Sequence, residues 1–190
     1  MNRYDNYKDS GVKWTGKIPN HWKCVKIRHL LRERTMKSTD GIGEPLSMSQ
    51  KYGIIPSSQM DVIPNGAASY IGAKHTYKGD LVLNKLKAHL GVFAISSYNG
   101  LVSPDYAVYY GTKMADLEYL EYLFKTPMYI TEFIKNTTGV AIGFNRLYTD
   151  DLFSISSHYP PLSEQTSIVS YLKDKTSKIE QYVTERERAD

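Results

Sequence analysis

Gly139-Val-Ala-Ile-Gly-Phe-Asn-Arg-Leu-Tyr-Thr-Asp-Asp-Leu152, then Tyr159-Pro-Pro-Leu-Ser-Glu-Gln-Thr-Ser-Ile-Val169, is the stretch whose reading decides the fold. Its glycine-rich start reads as a loop over 137–146, leading into a short strand near 152–157. Pro160 and Pro161 end that strand, because proline has no N–H to donate to a ladder. Ser163 then opens a helix that runs to the end of the sequence, with Glu164 in the first turn, where a carboxylate suits the positive end of the helix.

That helix has its own pattern. Ile168, Leu172, Lys175, Ile179, Tyr182 and Arg186 follow at steps of four, three, four, three and four, the spacing of a coiled-coil seam that Lys175 and Arg186 weaken. The stripe needs a cover: its own domain, a second copy or a partner helix. The chain therefore divides into a domain over 1–161 with an N-terminal arm, and the start of a spacer or dimerisation helix over 162–190.

Upstream, the signals alternate between strand and helix. Residues 1–21 read as an extended arm that Gly11, Gly16 and Pro19 keep irregular, anchored by buried Trp14 and Trp22. A weak strand follows at Trp22–Ile27, and then a helical turn through Ile27, Leu30 and Leu31 to Arg34. Leu46–Ser49 and Gly53–Pro56 are short strands, and Asp61–Ala68 is punctuated as a turn. Gly79-Asp80 introduces a strand over Leu81–Ala88. Gly91–Ser96 continues the sheet, and Asn99-Gly100 signals a two-residue hairpin into Leu101-Val102. Tyr106–Tyr110 adds another strand. Two helices follow. One covers 115–125, with Leu117, Leu120, Tyr122, Leu123 and Phe124 as its stripe. The other covers 127–136, capped by Thr126-Pro127 and burying Ile130, Phe133 and Ile134. The fold class is thus α/β (or α+β): a mixed, mainly antiparallel sheet flanked by helices, with a projecting C-terminal helix of coiled-coil type.

Composition narrows the function. With 190 residues, 41% of them hydrophobic, the chain can bury one core, and it has neither an apolar run of membrane-span length nor a signal peptide's apolar region. The single Cys24 excludes an intrachain disulfide and suits a reducing compartment, so a cytoplasmic protein is expected. The net charge of +4 is unevenly placed: residues 1–40 hold ten Lys and Arg against four Asp and Glu. That asymmetry fits an anionic partner such as nucleic acid, although many domains have one slightly basic half.

Motifs for chemistry are missing. The sequence has no phosphate-binding Gly-x-x-x-x-Gly-Lys-Ser/Thr, no Gly-x-Gly-x-x-Gly and no His-Glu-x-x-His, and His21, His29, His75, His89 and His158 lack ligand spacing. Ser103-Pro104-Asp105-Tyr106 is short of the second proline of an amino-methyltransferase motif. Glu44, Asp80 and Asp105 lack the lysine of a nuclease set and read better as turn caps. No catalytic residue, cofactor or metal is expected.

Four blocks, in order, carry a resemblance. They are Lys8-Asp-Ser-Gly-Val-Lys-Trp-Thr-Gly-Lys-Ile-Pro-Asn-His-Trp22; Gly79-Asp-Leu-Val-Leu83; Leu101-Val-Ser-Pro-Asp-Tyr-Ala-Val108; and Leu147 through Leu152 with Pro160-Pro-Leu-Ser-Glu-Gln-Thr-Ser-Ile-Val-Ser-Tyr-Leu172. Together they resemble a target recognition domain of a Type I restriction-modification specificity subunit. The resemblance implies a non-catalytic, sequence-specific DNA-binding subunit. It would read one half of a bipartite target and direct the methyltransferase (modification) and restriction subunits. Such subunits usually carry two recognition domains joined by long helices, so this chain is either a half-size subunit that must pair or a fragment of a longer one. A non-DNA adaptor acting through its C-terminal helix is the alternative.

Double-stranded DNA requires cations for phosphates and polar side chains for base edges. The segment Lys74, His75 and Lys78 with Asn84, Lys85, Lys87 and His89 is one candidate surface. Lys85 and Lys87 are read as sharing a strand face with Leu81 and Leu83, and a solvated strand surface is the other reading of the two lysines. Gln50, Lys51 and Tyr52 form a second candidate. Asn145 and Arg146, beside Gly139 and Gly143, form a third, for which a framework turn is the competing reading. Ile168, Leu172, Ile179 and Tyr182 are the assembly face, through which a homodimer is possible.

Overall fold

A computed structural model describes residues 4–49, 51–60, 69–139 and 145–187. The chain opens with strands β1 (Tyr7–Asp9), β2 (Lys17–Pro19) and β3 (Lys23–Lys26). It continues through β4 (Leu31–Glu33), β5 (Leu46–Ser49), β6 (Gly53–Pro56), β7 (Lys74–Thr76) and β8 (Leu81–Asn84). After β9 (Phe93–Ile95), β10 (Gly100–Val102) and β11 (Tyr106–Gly111) come helices α1 (Leu117–Phe124) and α2 (Pro127–Lys135). A short helix α3 (Thr149–Ser154), strand β12 (Ser156–Tyr159) and the long helix α4 (Leu162–Glu187) complete it.

The centre is an antiparallel sheet of order β4-β11-β8-β9. Side chains on a strand alternate between faces, and here both faces are apolar. Leu81, Leu83, Ala107 and Tyr109 belong to a core shared with Leu120, Phe124, Tyr129, Phe133 and Leu152 of the helices. Val82 and Val108 belong to a second core with Leu46, Ile54 and Val102, from the β5–β6 and β7–β10 pairs. The larger core is aromatic at its heart: Phe93, Phe124, Tyr129 and Phe133 meet with ring centroids 5.3–6.0 Å apart. Each fully buried ring stabilises the fold by roughly 1.5–3 kcal/mol. The expected mixed α and β class, antiparallel sheet and long terminal helix are all present.

Several local readings are corrected. The N-terminal arm is a hairpin, β1 pairing with β2, because Gly11 and Gly16 adopt positive φ and turn the chain instead of disordering it. Trp14 and Trp22 are half-buried rather than buried. Ile27–His29 is a single 3-10 turn, and Leu31–Glu33 returns to strand to pair with β11. The strand from Leu81 stops at Asn84, whose side chain accepts from the Leu86 N–H and starts 3-10 turns over Lys85–Leu90.

Asn99-Gly100 does not join β9 to β10 as a hairpin, since β9 pairs with β8 and β10 with β7. Asn99 instead accepts from the Lys78 N–H, and a Cβ at Gly100 would collide with the Glu44 carbonyl. On α2, Pro127 sits in the first turn, but Thr126 makes no side-chain cap: its hydroxyl donates back to the Leu123 carbonyl. Ile134 is exposed, because Tyr129 and Phe133 take the buried face. The strand expected near 152–157 begins only at Ser156. Asp150 and Asp151 sit in the first turn of α3, which buries Leu152. The Asp61–Ala68 turn and the Gly143 part of the loop lie outside the described residues.

The start of α4 is docked and the rest projects. Gln165 and Val169 are buried and Ile168 and Leu172 partly so, whereas Ile179 is 64% and Tyr182 72% exposed. From Lys173 to Arg186 every residue is exposed.

Candidate nucleic-acid interface

The β8–β11 register sets Asn84 opposite Tyr106, so Lys85 leaves the sheet beside the Ser103–Asp105 turn. Its ammonium donates to the Pro104 carbonyl at 3.4 Å, and its own carbonyl accepts from the Leu147 N–H at 3.1 Å. That second bond draws in Arg146, whose Nη2 lies 3.4 Å from Asp105 Oδ1. Lys74, on β7, lies 3.3 Å from Glu33 Oε1. Burial pushes the Lys85 ammonium below its ordinary pKa, and the charges of Lys74 and Arg146 push it further, against the pull of Asp105 and Glu33. Three cations and two carboxylates from five segments thus converge.

The other sequence-predicted residues lie in different settings. Asn84 is buried and spent on capping. His75 is partly buried in β7, while Lys78, Lys87, His89 and Asn145 are exposed. Because Lys85 and Lys87 occupy 3-10 turns, they do not share a strand face with Leu81 and Leu83. Lys51 and Tyr52 form the β5–β6 turn, with the Lys51 ammonium 4.7 Å from the Tyr52 ring centre. They line a groove of about 540 Å³ with Leu90, Gly91, Lys125 and Ile130. Gln50 lies outside the described residues. Among the described residues, no group of three or more His, Cys, Asp or Glu side chains is placed to hold a metal, and no helix is long and apolar enough to cross a membrane.

Sequence reading missed Glu33 and the part-buried Arg34–Asp80 pair. Arg34 donates to both Asp80 oxygens, at 2.8 and 3.0 Å, and its guanidinium lies 4.6 Å from the Tyr77 ring and 5.2 Å from the Tyr110 ring. Asp80 does cap its turn, accepting from the Tyr77 N–H, but the ion pair ties that turn to the end of β4. Nothing local announces a pair 46 residues apart.

A second cluster sets where α4 leaves the domain. Glu164 accepts hydrogen bonds from Tyr4, His21 (2.7 Å) and Trp22 (3.1 Å). Burial alone would raise the Glu164 carboxyl, but these donors outweigh it and hold the group below the usual carboxylate range. Trp22 stacks on buried His158, whose Nδ1 lies 3.4 Å from the Tyr129 hydroxyl. Burial pushes the His158 imidazole down to about 4. A depressed histidine is neutral in the native state, so the unfolded chain binds the extra proton first. Its stabilising contribution is complete above the unfolded value of 6.5 and is lost as pH falls toward 4. The loss expected from this group is roughly 3 kcal/mol. Denaturant melts from pH 7 to pH 4 should show the decline, and His158→Gln should flatten it; an unchanged slope in the variant would assign the decline elsewhere.

This fold, an antiparallel sheet with helices on one face, smaller strand pairs on the other and one long helix leaving the domain, is shared with solved specificity subunits of type I restriction-modification systems. The HsdS subunit from Thermoanaerobacter tengcongensis superposes over 97% of this chain with a TM-score of 0.57 and 19% identity. A structure solved to explain complex assembly and conformational transition of the type I system superposes over 93%, with a TM-score of 0.60 and 16% identity. The S subunit from M. genitalium superposes over 86%, with a TM-score of 0.53 and 13% identity. The chain spans 41–42% of the length of these structures. No protein-family model and no curated protein matches the sequence.

Proposed function

We propose that this chain is a target recognition domain of a Type I restriction-modification specificity subunit. It binds one half of a bipartite site in double-stranded DNA, does no chemistry itself, and directs a methyltransferase subunit and a restriction subunit in the cytoplasm. Residues 1–161 are the recognition domain, and 162–190 begin the helix that spaces or pairs such domains. The observation that carries the reading is the superposition of nearly the whole chain on specificity subunits. Lys85 and Arg146, partly exposed and brought together from segments far apart in sequence, support DNA as the ligand.

Methylation mapping in cells with and without this gene and a cognate methyltransferase is the direct test, and the expected result is one bipartite motif lost with the gene. In vitro, Lys85→Ala should weaken binding to all duplexes alike and lower the salt slope by about one. Binding that ignores salt would count against the reading. The projecting end of α4, where Ile179, Tyr182 and Val183 are exposed, is the proposed assembly face, with pairing between two copies as one outcome. Ile179→Asp should abolish any self-association seen by sedimentation, because a carboxylate in an apolar seam loses its hydration. A wild-type chain that stays monomeric at high concentration, with its partner subunit present, would exclude pairing of this kind.

A further inference from the structure

The two carboxylates of the basic cluster differ in a way that matters for binding. The Lys74–Glu33 pair is closed: its side chains are 10% and 22% exposed. The Arg146–Asp105 pair is open, at 31% and 51% exposed and 3.4 Å long. Lys85, between them, has no carboxylate within ion-pair distance among the described residues and donates only to the Pro104 carbonyl. Asp105 is held by its turn: its N–H donates to Ser103 Oγ, and Tyr106 beside it is locked into β11.

Phosphate affinity without sequence choice grows with every cation free to release counterions from DNA. A carboxylate on a DNA-binding face repels phosphates, and it can also read a base donor or restrain a neighbouring cation. Asp105 already faces Arg146, and its charge also reaches Lys85. An exposed pair of this kind is weak, so it can be opened by a phosphate and the discrimination it supplies is a few-fold at most.

We propose that Asp105 is a specificity-determining residue: it neutralises Arg146 off target and yields it to a backbone phosphate when a matched site holds the duplex in register. The carboxylate thereby lowers affinity for DNA in general while leaving the target complex its full set of cations. This rests on the DNA-binding reading above.

The test uses the 190-residue chain and random-sequence duplexes over 50–200 mM salt. Asp105→Asn should bind them more tightly and steepen the slope of log affinity against log salt by about one, worth about a threefold extra gain across that range. Arg146→Gln should shift the slope little, and adding it to Asp105→Asn should remove the gain. Asp5→Asn, the same charge change on the N-terminal arm, controls for net charge, and thermal melts confirm folding. A gain no larger than that control would overturn the proposal and leave Asp105 a turn residue. Altered preference at a single base pair, without a general gain, would overturn it in favour of base reading. A wild-type chain that binds no duplex even at 50 mM salt would overturn the DNA reading itself, and this inference with it.

Discussion

Gln165→Leu, in the first turn of α4, is expected to lower the unfolding free energy by on the order of 3–6 kcal/mol. The side chain is fully buried and makes three hydrogen bonds. Its oxygen accepts from the Asp116 N–H at 2.8 Å, and its amide donates to the Met114 and Pro160 carbonyls, both at 2.9 Å. It therefore joins the segment before α1 to the double proline and to α4. Leucine fills the volume but leaves one N–H and two carbonyls without this partner, each costing about 1–3 kcal/mol if kept from water; Asp116 and Met114 are only part-buried, which holds the sum to the lower part of that range. Asp116 is also the cap of α1, accepting from the Glu118 and Tyr119 N–H groups, so the damage spreads to that helix. Denaturant unfolding of the two proteins measures the difference. A loss below about 1 kcal/mol would mean that the amide is replaceable by water.

Asp80→Ala is expected to cost about 3 kcal/mol, from the lower end of the range for breaking a buried pair. The carboxylate is buried, whereas the Arg34 side chain remains 28% exposed and can reach solvent when its partner is lost, which keeps the figure at the lower end. Alanine also frees the Tyr77 N–H and unties the turn between β7 and β8 from the end of β4. Asp80→Asn keeps the shape and one acceptor, so about half the loss should remain. The measurement is again equilibrium unfolding, with Arg34→Ala and the double variant closing the cycle. If the double variant is no more stable than the sum of the single losses implies, the two groups are uncoupled and the pair contributes nothing beyond its parts.

Each of the two substitutions touches a residue whose local reading was modest. Asp80 reads as a turn cap, and Gln165 only as part of the block that opens the terminal helix. Both readings hold for the backbone, yet neither identifies the partner, which lies 46 residues away for Asp80 and 49 for Gln165. The same limit applies to the basic cluster. Lys74, Lys85 and Arg146 stand out as polar residues near strands, but the carboxylates that face two of them come from β4 and from the turn before β11.

Where the determinants are local, the sequence alone was sufficient. Alternating or continuous apolar runs mark β5, β6, β11 and the start of β8; a three-to-four residue stripe marks α1 and α2; and Pro160-Pro161 marks the end of β12 and the beginning of α4. Local pattern also carried the order of blocks in which the family resemblance lies. Tertiary structure decided what depends on a partner: that β10 pairs with β7 rather than β9, that the glycine-bearing arm closes into a hairpin whose neighbours His21 and Trp22 grip Glu164, and that Lys85 turns off its strand toward Asp105. The physical reason is one of range. Side-chain periodicity and turn chemistry act over a few residues, whereas the choice of strand partner and the placement of counter-charges are settled only when distant segments compete for the same buried surface.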